Sequence, residues 1–95
     1  MFVLLLKFSD NKAQAVQFMD GHKAWIQRGL QDGIFLLIGS LQPNRGGGIL
    51  AHNTTLSDLE RRVRDDPFVA EKVVTAEILE ITPTMADTRL EFLLG

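Results

Sequence analysis

The sequence predicts an α+β fold, an antiparallel sheet with two helices on one of its faces. Three observations predict it. Four stretches have strand character: Phe2 to Phe8, Ile34 to Leu41, Ile49 to Asn53 and Val73 to Thr82. Two stretches between them, about Lys12 to Leu30 and from Leu56 to Asp66, repeat apolar residues at helical spacing. The resulting order is strand, helix, strand, strand, helix, strand, the split-βαβ or ferredoxin-like order, in a chain of 95 residues.

Each element has its local reason. Phe2 to Phe8 is a continuous apolar run closed by Ser9-Asp10-Asn11, which suits a central strand. Ser9 or Asp10 is placed to cap the helix that follows, by accepting from its free N–H groups. In that helix Ala15, Phe18, His22, Ile26 and Leu30 recur three or four apart, with Trp25 alongside, so His22 lies within the apolar stripe. Gln14, Gln17, Lys23, Gln27 and Arg28 fall largely elsewhere. Gly21 costs about 1 kcal/mol against alanine in a helix, and Gly33 is a suitable stop.

Ile34 to Leu41 is a second buried strand whose end, Gly39-Ser40, lacks bulk. Pro43 to Gly48 reads as a turn ending in three glycines, and Ile49 to Asn53 completes a hairpin. Ser57-Asp58-Leu59-Glu60 fits a capping box for the second helix. Leu56, Leu59 and Val63 form its inner edge, and Asp58 with Arg62 and Glu60 with Arg64 are i,i+4 pairs. Asp66 precedes Pro67, which ends the helix nearby. Val74, Ala76, Ile78 and Glu80 alternate with Thr75, Glu77 and Leu79 in the fourth strand.

The chain is expected to be one domain, 1–95, with a core over 1–83 and a tail over 84–95. Leu90, Phe92, Leu93 and Leu94 in the tail are expected to pack on the domain or on a partner subunit. Hydrophobic residues make up 45% of the chain, a rich supply for its length, and helices on one face leave the other sheet face to be covered. A second copy is its simplest cover, giving a homodimer or a higher oligomer.

Composition excludes several function classes. The net charge of -2 carries no basic excess for nucleic acid. With no cysteine there is no disulfide, thiolate metal site or cysteine nucleophile, and a cytoplasmic location is the default. The five-residue run FVLLL is too short for a signal peptide or a membrane span. Two histidines and scattered carboxylates show no metal-ligand spacing, and no cofactor is expected.

The chain resembles the YciI-like (YCII-related) family. The resemblance rests on His22 in the first helix, the segment GLQDGIFLLIG ending at Gly39, the serine-started second helix, and Asp66-Pro67-Phe68. It runs from the first strand to about Pro83, with Gly39-Ser40 where the family has a Gly-Pro step. The resemblance implies a ferredoxin-like dimeric α/β barrel. It also implies an active-site cleft in which His22 lies near Asp66. The monooxygenase and muconolactone-isomerase types of dimeric barrel share the architecture, but Asp-Pro-Phe favours the YciI-like assignment.

A histidine beside a carboxylate suits proton transfer, because the carboxylate fixes its tautomer and stabilises its cation. No serine sits in a nucleophile motif. His22 and Asp66 are therefore the candidate catalytic residues, for elimination, isomerisation or hydrolysis of a small organic molecule. Ser40 and Gly39 at the strand end, Arg45 on the turn, and Phe68 and Trp25 as apolar walls are the candidate substrate contacts. The plain alternatives are a hydrogen-bonded core histidine, an ordinary helix-ending aspartate and a simple hairpin turn. A non-catalytic metabolite-binding or accessory module of the same fold is the competing function.

Overall fold

The computed structural model describes residues 1–94. Strand β1 spans Phe2–Phe8, β2 Phe35–Leu41, β3 Gly46–Ala51 and β4 Val74–Glu80. Helix α1 spans Ala15–Gln31, α2 Leu56–Arg64 and α3 Pro67–Ala70, with short 3-10 turns at Lys12–Gln14 and Thr88–Leu93. The sheet order is β2-β3-β1-β4 and every pairing is antiparallel. This is the ferredoxin-like split βαβ arrangement.

Period-two alternation divides β1 between two environments. Phe2, Leu4 and Leu6 are buried in one core with Trp25, Phe35, Ile49, Leu59, Val63 and Phe68. Each such side chain contributes about 1.5–3 kcal/mol on burial. Val3 and Leu5 point to the opposite face and stay half-buried. Within the core, the Trp25 indole N–H donates to the Arg62 carbonyl at 2.8 Å, tying α1 to α2. Gly29 is the second helical glycine, and a Cβ there would lie 2.1 Å from the Phe35 ring. The stripe of α1 therefore turns toward Trp25 and Gly29, and Leu30, expected inside, is partly exposed.

Local chemistry departs from the sequence reading at several ends. Neither Ser9 nor Asp10 caps α1 with its side chain, and Asn11 instead donates to the Glu71 carbonyl at 3.0 Å. The cap of α2 is Thr55, whose hydroxyl accepts from the Asp58 N–H at 3.1 Å. Thr55 has the extended backbone a cap requires, and the helix already begins at Leu56, so Ser57 lies inside the first turn. The arginines choose other partners too. Arg61 pairs with Asp58, and Arg62 reaches Asp32 on the other helix at 2.9 Å.

The three glycines are the start of β3, not a turn. The turn is shorter, with a cis Gln42-Pro43 bond and Asn44 at φ 51°. Gly46 has φ 127°, and a Cβ there would lie 1.9 Å from the Leu6 carbonyl oxygen, so no other residue fits against β1. The tail leaves β4 with Met85, Leu90 and Phe92 exposed. Phe92 meets the His52 ring edge-on at 5.6 Å, and Asp87, hydrogen-bonded by Arg89, is held below the usual carboxylate range. No described helix is long and apolar enough to cross a membrane.

Candidate active site

The stretch from Arg61 to Phe68 holds a helix end and a helix start. Asp65 closes α2, and Asp66 then takes an extended backbone (φ -70°, ψ 121°) as the cap of α3. Proline suits the first helical position because no partner is needed for its missing N–H. The Asp66 Oδ1 accepts from the Phe68 N–H at 3.0 Å. The same oxygen accepts from His22 Nδ1 at 2.8 Å. The tripeptide Asp66-Pro67-Phe68 thus carries a carboxylate and an aromatic ring to one side chain of α1.

That side chain is held on two sides. The Phe68 ring lies flat on the His22 ring, 3.9 Å between centroids and 4° between planes. Trp25 lies beyond at 5.9 Å. The close approach depends on the residue before His22: a Cβ at Gly21 would stand 3.0 Å from Pro67 Cγ. A glycine that weakens the helix therefore lets α3 dock against α1.

Burial separates the roles of the pair. Asp66 is 0% exposed, and its Oδ2 has no hydrogen-bond partner among the described residues. Its charge is met through Oδ1 alone. A buried carboxylate must be paired to be tolerated, so His22 is its natural counter-group. With Nδ1–H donating to Asp66, the lone pair of a neutral imidazole sits on Nε2. The His22 side chain keeps 13% exposure and lines a cleft of about 300 Å3 between α1 and the sheet.

The cleft brings together some of the predicted contacts. Phe68, Gly39 and Ser40 line it with His22. Apolar walls come from Leu6, Ile26, Ile38 and Ile49. Asp66 lies behind His22 and does not reach the cleft. Trp25 is not a wall of it: the ring is buried in the core and borders a polar hollow of about 440 Å3 beside Arg28 and Arg61. Arg45 does not line it either. It stays exposed on the turn, where its carbonyl accepts from the Phe8 N–H at 3.0 Å. Lys23, which helical projection put off the apolar stripe, does line the cleft. Its adjacency to His22 was the available signal.

A larger hollow, about 660 Å3, lies between α2 and β4 and holds Glu60, Arg64 and Lys72. Its walls are mostly apolar, with Leu56, Val63, Val69 and Ile78 among them, and its three charged side chains are exposed and form no buried pair. The smaller cleft is the better candidate because a titratable ring with an orienting carboxylate opens into it. No group of histidine, aspartate and glutamate among the described residues is arranged to hold a metal ion.

No family model matches the sequence, and no curated protein matches it. Among solved structures, the fold is similar to 5-chloro-2-hydroxyhydroquinone dehydrochlorinase (TftG) from Burkholderia phenoliruptrix AC1100, in complex with 2,5-dihydroxybenzoquinone. The TM-score is 0.69 at 11% identity, over 85% of this chain and 93% of that one. The likeness shows a shared fold.

Proposed function

We propose that this chain is a small-molecule enzyme of the YciI-like type, working as a homodimer, with His22 as its acid–base group and Asp66 as its orienting carboxylate. The observation that carries the reading is the 2.8 Å bond from His22 to a fully buried carboxylate, on a ring that opens into an apolar cleft. His22 Nε2 takes a proton from an acidic carbon or hydroxyl of the substrate. The bonding electrons move into the substrate's π system. In an elimination they expel a leaving group with its electron pair and the imidazolium then releases its proton to solvent, and in an isomerisation the imidazolium returns the proton at another atom of the substrate. Asp66 stabilises the imidazolium formed between the two steps. Ser40 donates a hydrogen bond, and Phe68 fixes the ring plane of His22.

The dehydrochlorinase with this fold supports a ring substrate bearing hydroxyl groups, with elimination as the reaction. The exposed apolar face of the sheet supports self-association, with a second copy as its cover. The test is to incubate the protein with chlorinated and unchlorinated hydroxyhydroquinones in D2O. Chloride release is followed by electrode, and loss of ring protons by NMR. His22→Gln should lower either rate by about 10²–10⁴-fold with its circular dichroism unchanged. An undiminished rate in His22→Gln would remove the catalytic role. A ring that binds the wild type and comes back unchanged would leave a metabolite-binding module.

A further inference from the structure

Lys23 supplies the fixed positive charge of the cleft wall. The lining contains Lys23, His22 and Ser40 as its only side chains with nitrogen or oxygen, and it contains no carboxylate. Lys23 takes part in none of the ion pairs among the described residues. Lys23 therefore borders the cleft with no counter-charge from the described residues in the lining. The walls beside it are aliphatic and aromatic, so they screen it less than water does. A lysine is suited to this position. Its four-carbon stem can lie along apolar surface while the ammonium stays at the rim.

Space on the opposite wall completes the arrangement. Gly47 lies on the sheet's helix side, opposite Leu6 in β1 and Ser40 in β2. A Cβ there would meet nothing nearer than the Gly39 carbonyl at 3.5 Å. The floor is thus bare at Gly47, with Lys23 in the lining, while the Lys12 ammonium is already placed over the Phe8 ring, 4.7 Å from its centroid.

We propose that Lys23 is the specificity-determining cation of this cleft, and that it selects small flat molecules carrying an ionised hydroxyl, an enolate or phenolate oxygen. The proposal rests on the reading of the cleft as the substrate site. It gives Lys23 the cationic substrate contact for which the sequence offered Arg45. An ionised hydroxyl has no proton left to give, so pairing its oxygen with Lys23 directs His22 to a proton elsewhere on the molecule.

The experiment is calorimetric titration at neutral pH with two probes of one ring, 2,5-dihydroxybenzoquinone and its uncharged dimethyl ether. Both are titrated into wild type, Lys23→Gln and Lys23→Arg. The acidic probe should bind the wild type, bind Lys23→Gln about tenfold more weakly or worse, and recover in Lys23→Arg. The ether should bind wild type and Lys23→Gln alike. Equal binding of the acidic probe by wild type and Lys23→Gln would overturn the role of Lys23 and leave the cleft standing. A wild type that binds neither probe overturns both this proposal and the reading beneath it.

Discussion

The two faces of the sheet are built from the same strands and meet different fates. On the helix side, Phe2, Leu4, Leu6 and Ile49 are buried, and the face is closed except for the His22 cleft and the hollow between α2 and β4. On the other side, Leu37 is 59% exposed and Leu79 45% exposed, with Val3 and Leu5 half-buried between them. The salt bridge between Lys7 and Glu77, 3.2 Å, adds charge at one end of that face. The difference teaches where each function can lie. A closed face can desolvate a carboxylate and hold a ring in one orientation. An open apolar face has contact area to offer, and a second copy is the proposed occupant.

The largest effect should come from the closed face. Asp66→Ala removes a helix cap, a charge-assisted hydrogen bond and the filling of a buried site. It should cost about 3 kcal/mol of stability, read as a lower urea midpoint at unchanged slope. A cost under about 0.5 kcal/mol would mean that Asp66 is only a surface-like helix start.

The open face should respond differently. Leu37→Asp places a charge on a side chain that is already exposed in the single chain, so the protomer should still fold. In a dimer that buries this face, the same charge is desolvated in both copies. Dimer dissociation should then rise by about 100-fold or more, measured by sedimentation. A wild-type protein that sediments as a monomer at micromolar concentration would remove the contrast between the faces.

Gly47→Ala gives the finest comparison, because it changes the cleft and little else. The added methyl has room in the fold, and alanine should stabilise the strand by roughly 0.5 kcal/mol. The same methyl takes space from the cleft and should weaken binding of a ring ligand about tenfold. Weaker binding together with higher stability would separate the site from the scaffold. Unchanged binding would place the ligand away from the bare floor.

Much of the fold was legible because its signals are local. The apolar runs of β1 and β2, the helical stripe with His22 and the stop at Gly33 each depend on neighbours in sequence. Helix ends were less legible. Thr55 and Ser57 each have a hydroxyl three residues ahead of an acid, and only the backbone angle of Thr55 decides which of them caps α2. The glycine run was misread for a similar reason. Glycine marks turns and close approaches alike, and the approach of Gly46 to Leu6 depends on a strand far away in the chain.

The sequence alone determined the order of the four strands and the two longer helices, because hydrophobic period and turn chemistry are properties of adjacent residues, while the short α3 was read only as the end of the second helix. It also determined which residues had the chemistry for proton transfer. The tertiary structure decided which of them meet. His22 and Asp66 are 44 residues apart, and their bond needs α3 docked on α1 through Gly21 and Pro67. It turned Trp25 into the core, left Arg45 on the outer turn and brought Lys23 to the cleft. A helical projection tells which side chains share a stripe. Which of them border a cavity depends on where the helix lies over the sheet, and that is set by packing across the whole chain.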